Sequence, residues 1–228
     1  MMLQLTLKVT DVQLKLITDQ NIYLIIEYAI CGRVSYMAQR YAVANFPAMP
    51  DYRPYFSTSH LLYLDCNSLY TTCQLYPLPV SEFRFLDGDE LAAFNVASVP
   101  AISPIGYLVE CDLHYPASLH ALHNAYLLTL QHLHIDEEML SDMLHLMHDV
   151  TGVAHHPCTK LVPNLHDKTC YITHYRCLQF YLAHGLQLVK IHCIIELSQH
   201  TYMLLFIKFC NYGRQKICSP TLSRRNTS

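Results

Sequence analysis

An α+β fold is what this sequence predicts, and three observations carry it. Residues 106–112 alternate apolar and polar side chains, as a half-buried strand does. In residues 136–150, Met139, Leu140, Met143, Leu144 and Met147 recur at helical spacing, behind Asp136, Glu137 and Glu138, which suit the positive end of a helix. Stretches of the two kinds follow one another without the strict alternation of a βαβ protein.

Taken in order, residues 1–45 read as a strand followed by a helix. Leu3, Leu5, Leu7 and Val9 alternate; Asp19 or Asn21 caps the helix; Tyr23, Ile26 and Ile30 line one face; and Gly32 breaks it. A loop containing Pro47, Pro50 and Pro54 leads into Leu61-Leu62-Tyr63-Leu64, which is short and unbroken like a strand buried on both faces. Pro77 and Pro79 close the next segment, and Phe83 with Phe85 suggests a further strand. Residues 86–104 read as loop. Pro116 suits the first position of a helix. After the helix at 136–150 come a Pro-containing turn, a strand at 170–173, and a helix through Leu178, Tyr181 and Leu182 with Gly185 at its C-terminal cap. A long strand follows at 186–197, and from residue 217 the composition turns polar, as in a disordered tail.

The composition, 52% hydrophobic and 14% charged over 228 residues, allows one sizeable core. A net charge of -3 leaves no whole-chain basic footprint, so a nucleic-acid partner would have to meet a local basic surface. Ten Cys without a CxxC pair, scattered among apolar runs, point to free thiols in a reduced, intracellular setting. Residues 1–11 lack the basic start and apolar block of a signal peptide. Residues 202–210 are too short for a bilayer span and contain Lys208, so no membrane segment is expected.

The candidate chemistry lies at Asp65, a carboxylate immediately after an apolar run and just before Asn67 and Ser68, which can start a helix. That placement offers one metal-binding oxygen beside free backbone N–H groups, as a metal-bound triphosphate requires. Taken alone, the pattern suits at least as well an Asp that caps a turn at a strand end.

The wording of the segment is more specific. Tyr63-Leu64-Asp65-Cys66-Asn67-Ser68-Leu69-Tyr70 resembles the first polymerase motif, D-x-x-S-L-Y, of family B DNA polymerases. Upstream, Cys31-Gly32-Arg33-Val34-Ser35, Arg40-Tyr41-Ala42 and Ala44-Asn45 are similar to the R-G-G-I-S and R-Y-A-x-A-N segments of the protein-primed group found in linear plasmids and Polinton-type mobile elements. Gln74 with Pro77-Leu78-Pro79-Val80 fits the same group. Gly106-Tyr107-Leu108-Val109-Glu110-Cys111-Asp112 and Leu119-His120-Ala121-Leu122-His123-Asn124 look like its G-Y-x-x-E-x-D and L-H-x-L-H-N elements. The longest agreement runs through Lys160-Leu161-Val162-Pro163-Asn164-Leu165, Asp167-Lys168, His174-Tyr175-Arg176, Gly185-Leu186 and Lys190-Ile191-His192. Together these cover about residues 11–216 in the family's order.

The resemblance implies a partial polymerase palm. Residues 1–45 would lead into it, 46–85 would carry the first motif, 86–185 would form the subdomain inserted between the first and second motifs, and 186–216 would return to the palm and approach the fingers. It implies that Asp65 and the carbonyl of Cys66 hold Mg2+, that Asn67, Ser68, Leu69 and Tyr70 meet the incoming dNTP, and that Tyr70 excludes a 2'-hydroxyl. Gly32, Arg33, Lys160, Lys168 and Arg176 would contact template and primer DNA, and a terminal protein would serve as primer. For the last three residues a solvated polar face is an equal reading. The fingers Lys motif and the D-T-D motif are not found in these residues, and fingers, thumb and exonuclease are expected to be missing, so the chain by itself is expected to be inactive. Arg33, Cys31, Thr71 and Cys193 each depart from the family's usual residue.

Two other classes compete. A non-catalytic DNA- or protein-binding relic would keep the inserted subdomain without the chemistry. A zinc module is suggested by His155-His156-Pro157-Cys158 with Cys170 and His174, but Cys158 to Cys170 supplies no short ligand pair, and buried Cys with half-exposed His explain the residues more simply. The Met stripe at 139–147 is read as core.

Overall fold

A computed structural model describes residues 12–32, 34–39, 41–67, 69–73, 76–153 and 157–200. The strand-like start at 1–11, Arg33, Ser68, His155, His156 and the polar tail lie outside the described residues. The architecture is mixed α+β with antiparallel strand pairs. It divides into two compact units: one takes the chain up to Ile22, Leu64–Tyr107 and the chain from Ile195, and the other takes Tyr23–Tyr63 and Leu108–Ile194. The division falls within two of the long strands. No described helix is long and apolar enough to cross a membrane.

Helix α1, Gln20–Ala29, starts where Asp19 Oδ1 accepts from the N–H of Asn21 at 2.8 Å and of Ile22 at 3.3 Å, one of the two caps expected. Its less exposed side is Ile22, Ile25, Ile26 and Ala29, at spacings of three and four. Tyr23 and Ile30, placed on that face from sequence, are exposed.

In the first unit, helix α2, Leu69–Cys73, precedes strand β1, Leu78–Phe85. β1 pairs antiparallel with the end of strand β6, Gln187–His200, from Leu78 opposite His200 to Phe85 opposite Ile195. Pro79 is tolerated because β1 is an edge strand. Val80 packs with Val12 and Leu78, and its carbonyl accepts from Lys15 N–H at 3.0 Å.

The stretch read as loop, residues 86–104, holds helix α3, Gly88–Ala93, and a 3-10 turn, Val96–Ser98. Asp87 and Glu90 form a full capping box, a D-x-x-E signal that was legible and missed. Glu90 also takes the Arg84 fork at 2.7 and 3.0 Å. The fork is exposed, and a surface pair of this kind contributes little.

Gly106 in this unit faces crowded space. An added Cβ would come within 2.5 Å of Gln199 Oε1 and 2.8 Å of Leu197 Cδ1, while Gln199 is tied by its amide to the Ser103 carbonyl at 2.7 Å. Gly106→Ala should therefore cost about 1–3 kcal/mol through overpacking. Chemical denaturation would measure it, and a loss within experimental error would show that Gln199 swings aside freely.

In the second unit, strand β2, Ile105–His114, pairs antiparallel with β5, Lys168–His174, and in the sheet order β2 lies between β6 and β5. Val109, Cys111 and Leu113 are buried on one side of β2, leaving Glu110 and Asp112 half-buried on the other. Helix α4 covers Ala117–His123, with Pro116 at the N-cap, one position before the place expected for it. A hairpin, β3 Leu130–Ile135 with β4 Cys158–Pro163, pairs without a register break and was not anticipated. Helix α6, Tyr175–Ala183, packs on β5 and ends at Gly185 with φ +95°, the left-handed position that glycine tolerates best.

Two expectations fail. The helix read at 136–150 is a 3-10 turn, Glu137–Met139, followed by α5, Asp142–Thr151, and its stripe is not core: Met139, Met143, Leu144 and Met147 are all exposed. The acidic residues sit at the 3-10 turn, and Leu140 in extended backbone separates the two elements. Leu61-Leu62-Tyr63-Leu64 is not a buried strand either. It has no regular secondary structure, and Leu62, Tyr63 and Leu64 are 79%, 97% and 84% exposed. An apolar run signals a demand for burial but does not name its partner, and no described strand pairs with this one.

Asn45, quoted above in the A-N pair, organises the Pro-rich loop. Its side-chain N–H groups donate to the carbonyls of Arg53, Phe56 and Ser57 at 3.0–3.3 Å, and its Oδ1 accepts from Arg53 N–H at 2.9 Å. Asn45→Ala should loosen this loop, at a cost of about 1–2 kcal/mol. Faster amide exchange of Arg53 than of residues in β5 would report it; unchanged protection would not fit.

Candidate functional site

Sequence reasoning placed the chemistry at the end of a strand, and the structure supplies only part of that frame. Asp65 and Cys66 are exposed and follow irregular backbone; Asn67 is in a turn; and α2 begins at Leu69, so Tyr70 is helical. A carboxylate just before a turn into a helix is retained, and the strand that would hold it is not. Among the described residues no group of three potential metal-ligating side chains includes Asp65.

The expected DNA contacts are scattered. Gly32 is exposed, and Lys160 is exposed on β4. Arg176, on α6, is half-buried and already engaged within the protein. Lys168 corrects the expectation outright, because it is 1% exposed and turned inward. Its ammonium donates to Asn164 Oδ1 and to the His166 carbonyl, the latter at 2.6 Å. Burial lowers its pKa from 10.5 to about 8, with Asp167 pulling the other way. Such a lysine clamps the turn between β4 and β5 and cannot reach a phosphate.

Neighbouring Asp167 is also structural. Its carboxylate accepts from Tyr115 N–H at 2.7 Å and lies 2.9 Å from His114 Nδ1, which holds it below the usual carboxylate range.

The tightest gathering of reactive side chains lies elsewhere in the second unit. Asp112 on β2, Cys170 on β5 and His192 on β6 place a carboxylate oxygen, a thiol and a ring nitrogen all within 4.8 Å of one another. A β-bulge creates this meeting. Cys111 opposes Tyr171 and Leu113 opposes Lys168, so Asp112 alone faces both Thr169 and Cys170. Cys170 adopts φ +49°, a left-handed conformation that a non-glycine residue takes at a cost. Its N–H donates to Asp112 Oδ1 at 2.9 Å.

His192 Nε2, a buried nitrogen, lies 2.8 Å from Asp112 Oδ1, an ion pair when the ring is protonated. The Cys170 amide first, and His192 second, depress the Asp112 carboxyl. Next to the triad, the Cys193 thiol donates to Glu110 Oε2 at 3.1 Å, and burial together with that carboxylate pushes the thiol to about 12. Burial and then Glu110 and Asp112 raise the Cys170 thiol. Glu110 and Cys170 also line an open groove with Tyr28, Cys31 and His132.

Only the alternation of Glu110 and Asp112 hinted at this cluster in the sequence. The bulge that swings Cys170 onto them has no local signature. The zinc reading is corrected in the same place: Cys170 does meet other donors, but they are Asp112 and His192, whereas Cys158 and His174 join no such group among the described residues. No family model, curated protein or solved structure matches this chain.

Proposed function

We propose that this chain is part of a protein-primed family B DNA polymerase, acting with template and primer DNA, a dNTP and a terminal protein. The observation that carries the reading is the ordered set of motif-like segments around Asp65-Cys66-Asn67-Ser68-Leu69-Tyr70. The start of α2 at Leu69, four residues after Asp65, supports it, since a helix beginning just after a carboxylate is the arrangement that motif calls for. In this reading Asp65 is one ligand of the magnesium pair, which would neutralise charge on the transferring phosphate. The described residues do not by themselves complete that magnesium site, because Asp65 joins no group of three potential ligand side chains among them.

The test is a primer-extension assay beside a nucleotide-binding titration, with wild type and Asp65→Asn. The 228-residue chain should not extend a primer, because one carboxylate seldom positions two ions and a triphosphate in line. It should bind a dNTP weakly and only with Mg2+, and Asp65→Asn should reduce that binding by about tenfold. Magnesium-dependent binding indifferent to Asp65→Asn would remove Asp65 from the site. Robust extension by the wild type would show that residues other than the first motif complete the chemistry.

A further inference from the structure

We propose that Asp112, Cys170 and His192 form a Zn2+ site that ties β5, β2 and β6 together, a reading independent of any polymerase activity. Three adjacent strands each supply one ligand, and the three are of different chemical kinds. Thiolate, imidazole and carboxylate together are a zinc donor set; the thiolate selects against Mg2+ and Ca2+, which prefer oxygen alone. Of the three, Cys170 also lines the open groove, and Glu110 lines it too.

Two further observations point to an ion and not merely to a chance cluster. The backbone accepts a left-handed non-glycine residue at Cys170, and the effect of that strained bulge is to bring its side chain onto Asp112. The buried Nε2 of His192 lies 2.8 Å from the Asp112 carboxylate. Such a contact suits two ligands that converge on a common centre. Ligand–ligand edges in a tetrahedral zinc site are about 3.3–3.7 Å, so separations from 2.8 Å up to 4.8 Å reach that geometry with side-chain shifts of about 1 Å.

Charge favours the same outcome. Asp112 is a carboxylate ligand, and a second carboxylate, Glu110, lines the same groove as Cys170. Loading the site releases the thiol proton and forms a Zn–S bond, leaving the metal-bound thiolate to offset the remaining charge.

The experiment uses the full chain, metal-stripped, titrated with Zn2+ and separately with Co2+, whose thiolate charge-transfer band reports a cysteine ligand. One equivalent should bind with that band present. Changing a residue that only orients a zinc ligand costs about 10–100-fold in affinity, so losing a ligand outright should cost about 100-fold or more. Cys170→Ser, Asp112→Asn and His192→Gln should each do so, and Cys170→Ser should abolish the band. Cys73→Ser, an exposed thiol outside the cluster, should leave both unchanged.

If a variant fails to fold, as judged by circular dichroism, the wild type still decides. Stoichiometric Zn2+ should protect Cys170 from iodoacetamide, read peptide by peptide by mass spectrometry, and leave Cys73 reactive. Retention of the band in folded Cys170→Ser, or equal alkylation of Cys170 with and without Zn2+, overturns the proposal.

Discussion

Leu178→Ala should lower the unfolding free energy by about 3 kcal/mol, within the roughly 2–5 kcal/mol that buried Leu-to-Ala changes cost. Leu178 is fully buried on α6, the helix that packs on β5, so truncation leaves a cavity among residues held by the sheet. Part of the loss is the transfer term for the deleted carbons and part is the void, which a strand-backed wall cannot close. Small domains have only about 5–15 kcal/mol to lose, so the variant should unfold at a much lower denaturant concentration. Phe180→Ala on the same helix is the comparison. Phe180 is about half exposed, and its ring rests on His184 with centroids 4.1 Å apart, so its loss should cost less than about 1 kcal/mol. Equal costs for the two would show that α6 does not pack as described.

Lys168→Met should change how stability depends on pH. Burial holds the folded pKa of Lys168 near 8 against an ordinary 10.5, so folding disfavours its charged form. Below about pH 8 the lysine is protonated in both states and the full penalty applies. Between about pH 8 and 10.5 the unfolded chain binds more protons than the folded one, so stability rises with pH, and above that window the penalty is gone. Measured against Lys168→Met, the wild type should therefore gain about 1–3 kcal/mol across the window, the lower values reflecting water that reaches the ammonium.

The difference between the two proteins is the proper readout, because other groups oppose the trend. The raised thiols of Cys111 and Cys193 favour the neutral form in the fold, so their contribution is lost as pH rises past the ordinary thiol value. Those terms are common to both proteins and cancel. Urea unfolding from about pH 7 to about pH 11 measures the difference, and a flat result would show that Lys168 is solvated and available to a phosphate.

Much of the second half of the fold was legible because its signals are local. Alternation along residues 106–112, Gly185 beyond α6 and the strand-like run at 186–197 each report a preference that neighbouring residues enforce, and β2, α6 and β6 follow them. The capping box at Asp87 and Glu90 was equally local and was passed over. The β3–β4 hairpin was not legible, because its strands are separated by a helix and their pairing is a choice of partner across 22 intervening residues.

By itself the sequence determined the mixed α+β class and the places of β2, β5, α6 and β6, and it carries the resemblance of the segments around Asp65. Tertiary structure alone decided what the side chains do. It turned Lys168 inward to hold a turn, left Leu61-Leu62-Tyr63-Leu64 exposed, and exposed the Met stripe of α5. It also brought Asp112, Cys170 and His192 together from positions 58 and 22 residues apart. The reason is physical. Periodicity records whether a residue seeks burial, whereas the partner it meets depends on strand register, and a single bulge shifts which side chains share a face.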